Sequence, residues 1–204
     1  MNVSLIDYGA GNLRSVANAL RAIGIEPNIA ARPDQLGDTT HLVLPGVGSF
    51  GDCMEQLSKR DLIEPIREWV AAGKPYLGIC LGYHILFESS EETPGVSGLG
   101  LLPGVVKRFK DQPGLKVPHM GWNSVVPRRP ESPNWKGLGT EPYFYYVHSY
   151  FPVPAEDEVI AAETTYGADR FAAAIERPNL FACQFHPEKS QEAGLNLIRN
   201  FLGA

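Results

Sequence analysis

Tyr76-Leu77-Gly78-Ile79-Cys80-Leu81-Gly82 joins two kinds of local structure at a single cysteine. Tyr76 to Cys80 is a short apolar run of the sort buried in a sheet, and Leu81 to Ser90 continues at helical spacing. A strand that turns directly into a helix needs room beside the turn, and Gly78 and Gly82 stand two residues either side of Cys80. This is the pattern of a nucleophile elbow with cysteine in place of serine. A helix start behind the sulfur favours thiolate, and the Leu81 N–H becomes a donor for an oxyanion. The plain alternative is a structural cysteine between incidental glycines; the strand-turn-helix context favours the elbow.

The same rhythm runs upstream. Val3 to Asp7 is short and apolar, Gly9-Ala10-Gly11 turns, and Asn12 is placed to cap a helix through Leu13, Val16, Ala17, Leu20 and Ile23 that stops at Gly24. His41 to Leu44 reads as a buried strand ending at Pro45-Gly46-Val47-Gly48. One helical stretch then carries Leu57, Leu62, Ile63, Ile66, Trp69 and Val70 to Gly73. Repeated strand, turn and helix with apolar strands predicts a mostly parallel sheet covered on both faces.

Downstream the pattern changes to strands separated by proline and glycine turns. Val105–Phe109, Lys116–Val126, Tyr143–Phe151, Val159–Glu163, Phe171–Glu176 and Leu180–Phe185 read as antiparallel additions, with a closing helix around Asn196 to Leu202. No long linker or repeat interrupts the 204 residues, so the expectation is a single three-layer α/β domain over residues 1–204.

Composition removes several functions. The net charge is −5, and no basic run interleaves with aromatics, so a nucleic-acid surface is not expected. No stretch approaches the roughly 18 apolar residues of a membrane helix, and Met1 to Asp7 has no signal-peptide pattern. Cys53, Cys80 and Cys183 are too few and too scattered for a disulfide framework or a zinc site. A cytoplasmic protein without metal or cofactor is expected. Gly9-Ala10-Gly11 lacks the third glycine and the acidic partner of a dinucleotide fingerprint.

A thiolate nucleophile needs a proton shuttle, and Gln184-Phe185-His186-Pro187-Glu188 ends the last strand. His186 and Glu188 are two apart and leave an extended backbone on one side. The carboxylate can then hold one imidazole nitrogen and leave the other for Cys80. A lone His-x-Glu more often marks a surface turn, so the cysteine elbow is what gives the pair its meaning. Gly46, Val47 and Gly48 follow another parallel strand, on the sheet edge where Cys80 must also lie, and offer backbone N–H groups to an oxyanion. In Tyr143-Phe144-Tyr145-Tyr146, alternate rings must face away from the core, which makes some of them candidates for a partner surface.

GICLG around Cys80, QFHPEKS around His186 and PGVGSFG from Pro45 resemble the class I, triad-type glutamine amidotransferases. The resemblance spans nearly the whole chain and implies a flavodoxin-like α/β/α fold that hydrolyses glutamine and delivers ammonia to a partner. IDYGAGNLRS from Ile6, KVPHMGWN from Lys116 and YFYYVHSYF from Tyr143 resemble one branch of that family. Its members are glutaminase subunits that form a heterodimer with a (β/α)8 cyclase of histidine biosynthesis. The resemblance implies Cys80 as nucleophile, His186 as general acid and base, Glu188 as its orienter, and oxyanion donors at Leu81, Gly46, Val47 and Gly48. It further implies Glu92 against the substrate ammonium and Ser149 and Tyr150 against its carboxylate, and it places Asn12, Trp122, Asn123, Tyr145 and Lys189 near the partner and the ammonia passage. One position departs from the family motif: His84 stands where glutamine is usual, within the substrate-binding set, which predicts an altered glutamine affinity. A glutaminase serving another synthase, for example one that aminates a sugar, a free peptidase or γ-glutamyl hydrolase, and a non-catalytic subunit of the same fold remain the rival readings.

Overall fold

β1 (Val3–Ile6) is buried at every position and lies between β2 (Asn28–Ala30) and β3 (His41–Gly46), parallel to both. β3 pairs in parallel with β4 (Tyr76–Cys80). The later strands are β5 (Ser89–Ser90), β6 (Gly104–Arg108), β7 (His119–Ser124), β8 (Val126–Pro127), β9 (Tyr143–His148), β10 (Tyr150–Pro154), β11 (Ile160–Tyr166), β12 (Asp169–Arg177) and β13 (Leu180–Cys183). The helices are α1 (Leu13–Ala22), α2 (Phe50–Lys59), α3 (Ile63–Ala71), α4 (Leu81–His84) and α5 (Gln191–Leu202). The structure is a computed structural model that describes residues 1–9 and 12–204, so the Gly9-Ala10-Gly11 turn lies partly outside the described residues.

Among the described residues, eight strands form one sheet in the order β2-β1-β3-β4-β13-β12-β11-β8. The first five run parallel, as expected, and β12, β11 and β8 add on antiparallel. Successive side chains leave opposite faces of each strand. Leu5, Val43 and Leu77 therefore join Val16 and Leu20 of α1 and Leu197 of α5 in one core. Leu42, Leu44 and Tyr76 join Leu57 of α2 and Ile66 of α3 in the other. Two cores around one sheet make the three layers. Leu20 is fully buried, and its truncation to alanine would cost about 2–5 kcal/mol. No described helix is long and apolar enough to cross a membrane.

Three local expectations are corrected, and one strand was not expected. The stretch from Leu57 to Gly73 is two helices: Asp61 adopts a left-handed φ of 55°, and the Leu62 N–H turns back to Leu57 O. α4 stops at His84 instead of running to Ser90, because the carbonyls of Ile85, Leu86 and Phe87 accept from the N–H groups of Leu99, Leu101 and Gly100. Tyr143–Phe151 is broken at Ser149 into β9, which pairs with β7, and β10, which pairs with β6 in another sheet. β2, short and exposed at two of its three positions, has no apolar signature to read.

Candidate active site

Cys80 ends β4 with φ 53° and ψ −104°, a left-handed backbone for a residue with a side chain. Such a conformation costs on the order of 1–3 kcal/mol and persists only where its surroundings enforce it. Here they do. A Cβ on Gly82 would collide with the carbonyl of Leu44, and one on Gly78 would sit 2.5 Å from the Gly82 oxygen. The two glycines let β3, β4 and α4 meet at the turn, and Leu81, the first residue of α4, carries an N–H with no partner inside the helix. Because α4 is a single turn, its dipole is short, and charge at the sulfur depends more on the side chains around it.

His186 is held by distant elements. Its N–H donates to Tyr145 O at 2.8 Å, its carbonyl accepts from Ser190 Oγ at 2.6 Å, and Ser190 Oγ accepts from Tyr145 N–H at 2.9 Å. Nδ1 donates to Glu188 Oε1 at 2.8 Å, and both side chains are buried. Nε2 is buried on the other side of the ring with no hydrogen-bond partner among the described residues. Burial lowers the His186 pKa, but the charge of the Cys80 thiolate and a hydrogen bond to it, reinforced by Glu188, raise it to about 10. The His186 ring is thereby favoured in its protonated form at neutral pH.

A cavity of about 370 Å³ opens over Cys80, within the range of small-molecule sites. Val47, Gly48, Leu81, His84, Glu92, Ser149 and Tyr150 are on its wall. Glu92 accepts the Phe50 N–H at 2.8 Å, which ties its carboxylate to the start of α2. Burial raises its pKa, the Phe50 bond opposes the rise and Asp52 adds to it. A larger cavity of about 720 Å³, beside Arg129 and Glu176, holds none of these residues. The smaller one carries Cys80 on its wall and is the candidate site.

The family described as glutamine amidotransferase class-I matches residues 4–204. The chain belongs to the class I glutamine amidotransferases. Among curated relatives of this amidotransferase, the imidazole glycerol phosphate synthase subunit HisH of Synechococcus elongatus is 47% identical over 200 residues, covering 98% of this chain and 92% of that one. The subunit of the same name from Cyanophora paradoxa is 48% identical over 203 residues, covering 99% and 94%. Two solved structures share the fold: PurLQS from Thermotoga maritima, with TM-score 0.78 and 21% identity over 99% of this chain and 97% of that one, and a glutamine amidotransferase with TM-score 0.74 and 22% identity over 100% and 98%.

The amidotransferase fold brings the expected substrate-binding residues together over Cys80. Gly46 pairs in register with Cys80, and a Cβ there would press on Leu81 and on the Tyr8 hydroxyl. The expected interface residues divide. Trp122 is 47% exposed beside Met120, packs edge-on against Tyr145 at 6.3 Å, and Lys189 Nζ lies 5.7 Å from the Tyr145 ring centre. Asn123 and Asn12 instead use their side chains internally. Asn123 Nδ2 donates to Thr165 O at 2.9 Å, and Asn12 makes no helix-cap bond but donates to Glu188 Oε1 at 2.8 Å. Asn12 therefore steadies the carboxylate that orients His186.

Gln184 was not singled out in the sequence, although the period of two that joined His186 to Glu188 reaches it as well. It is fully buried, with its amide between His84 and Cys80. The buried pair His119 and His148 was also missed; His119 Nδ1 and His148 Nε2 are 2.9 Å apart. Each histidine is alone in its own sequence segment, and only the pairing of β7 with β9 places them opposite one another.

Proposed function

We propose that residues 1–204 form one glutaminase unit that releases ammonia from L-glutamine through a Cys80 thioester. The observation that carries this reading is the buried His186 ring, hydrogen-bonded to Glu188 at 2.8 Å and set beside Cys80. The Cys80 sulfur bonds to the side-chain amide carbon, and the oxyanion is held by N–H groups of Leu81 and of the Gly46-Val47-Gly48 loop. As the C–N bond breaks, His186 Nε2 gives its proton to the departing nitrogen, leaving a γ-glutamyl thioester and free ammonia. The neutral ring then takes a proton from water as that water attacks the thioester, and thiolate leaves with glutamate released. Glu92 receives the substrate ammonium, and Ser149 and Tyr150 face its carboxylate.

The ammonia is consumed by a synthase partner. The identity with imidazole glycerol phosphate synthase subunits supports a (β/α)8 cyclase that makes imidazole glycerol phosphate and AICAR, joined to this chain as a cytoplasmic heterodimer. Exposed Met120, Trp122 and Tyr143 supply an apolar docking face, and Asn123, Tyr145 and Lys189 lie beside it. The test is glutamate release by the chain alone and with the cyclase and its nucleotide ligand. Strong stimulation by the partner supports the reading; high activity indifferent to it assigns the chain to another synthase or to free hydrolysis. Cys80→Ala should abolish glutamine use while an ammonium salt still feeds the partner.

A further inference from the structure

We propose that His84 is a positioning residue for the nucleophile, holding the buried Gln184 amide so that its N–H points at the Cys80 sulfur. This rests on the reading of Cys80 as nucleophile and goes beyond it, because the expected role of His84 was to touch substrate. His84 Nε2 lies 2.7 Å from Gln184 Oε1, and an amide oxygen only accepts. The imidazole must therefore carry its proton on Nε2. The other end of the same amide, Gln184 Nε2, lies 3.8 Å from Cys80 Sγ and only donates. The chain of bonds has one direction: His84 N–H to the amide oxygen, and amide N–H to sulfur.

The backbone makes this juxtaposition firm. Cys80 immediately precedes α4 and His84 ends that single turn, which brings both to the Gln184 amide. Gln184 follows the end of β13 at Cys183 in a bend, with its N–H fixed on Ala173 O at 2.8 Å and its amide on the sulfur. The amide is thus the donor within hydrogen-bond distance of the sulfur, beside the buried His186 ring. Burial pushes the His84 pKa down to about 4, so the ring is neutral in ordinary buffers and has a single N–H to give. Its second nitrogen is then a bare acceptor. A reversed amide would set its oxygen against the thiolate and would require the proton to leave His84 Nε2. A glutamine at position 84 presents both a donor and an acceptor at its tip and can hold the amide either way round. The neutral histidine commits it to the orientation that favours thiolate. The other titratable groups whose charge couples to Cys80 are His186, Tyr8 and Cys183, none of which a change at position 84 removes.

The experiment is alkylation of Cys80 by iodoacetamide from pH 5 to 10, read peptide by peptide with buried Cys53 and Cys183 as controls, together with kcat and KM for glutamine in the complex with the synthase. His84→Phe keeps a ring and removes the donor. Its alkylation profile should move to higher pH, with the rate at pH 7 down about fivefold and the alkaline plateau kept. kcat should fall similarly while KM changes less than twofold, and His84→Gln should recover part of the loss. In a Gln184→Leu background His84→Phe should add nothing. An unmoved alkylation profile, or an equal further loss in the Gln184→Leu background, overturns the proposal. If His84→Phe does not fold, His84→Asn, too short to reach the amide, is read in the same way. Should wild-type Cys80 react no faster than a denatured control thiol, it is the nucleophile reading that fails. A reactive wild type with an unchanged variant defeats only the role of His84.

Discussion

The two halves of the candidate catalytic centre are built in opposite ways. Cys80 is positioned by its own neighbours: β4 before it, α4 after it, and two glycines that allow the strained turn between them. His186 and Glu188 are positioned from far away, by Tyr145 and Ser190 on the histidine backbone and by Asn12 on the carboxylate. A nucleophile held by local geometry stays aimed whatever the rest of the chain does. A proton shuttle hung from β9 and from the start of α1 is open to whatever touches those elements. β9 carries Tyr145 on the face that Trp122 and Met120 leave exposed. The half of the site suited to control by a partner is thus the histidine half.

Breaking each half separately sharpens that contrast. His186→Asn removes the shuttle without crowding the core and should lower the glutaminase rate by roughly 10³- to 10⁴-fold. Circular dichroism should be unchanged; a rate within tenfold of wild type would take His186 out of the reaction. Gly82→Ala attacks the elbow itself by driving a methyl group into the Leu44 carbonyl. It should cost about 2–3 kcal/mol of stability by urea unfolding and most of the activity, and a wild-type midpoint would show that the turn tolerates a side chain.

Acid should expose the distant packing. Burial holds His84 and His119 at about 4, whereas in the unfolded chain they titrate near 6.5. The unfolded state therefore binds more protons between those values. Stability is full above pH 6.5 and falls as pH drops toward 4, by up to about 1.4 kcal/mol per pH unit for each ring. Urea midpoints at pH 6.5 and 5.5 measure the slope, and His119→Gln should flatten it; equal slopes in both proteins would contradict the assignment. The smallest effect belongs to Asn12→Ala, which takes one of two donors from Glu188 Oε1. It should reduce kcat about tenfold or less with KM unchanged. If KM rises and kcat holds, Asn12 serves substrate or partner instead of the carboxylate.

The legible part of this fold is its parallel half. Apolar runs at β1, β3 and β4 and the apolar period of α1 are signals within a few residues, and the sheet order places their carboxyl ends on one edge beside Cys80. The antiparallel half was legible as strands but not as sheets, since nothing in Tyr143–Phe151 says that Ser149 is where the chain changes partners. Alternation in Tyr143 to Tyr146 did show, with Phe144 and Tyr146 buried and Tyr143 exposed. Asn12 illustrates the limit on single residues. As a helix cap it obeys a local rule, yet its amide finds Glu188, 176 positions away, and a charged acceptor outbids the cap.

By itself the sequence determined the elbow and the family, because each depends on residues a few positions apart; the extended backbone expected from His186 to Glu188 is instead the 3-10 turn Pro187–Lys189, which still brings the two side chains together. Only the tertiary structure decided where α4 ends, which way Asn12 and Asn123 turn, and that His84 faces Gln184. The physical reason is the same in each case. A buried polar group must find a partner, and which partner lies within reach is settled by how distant strands and helices pack.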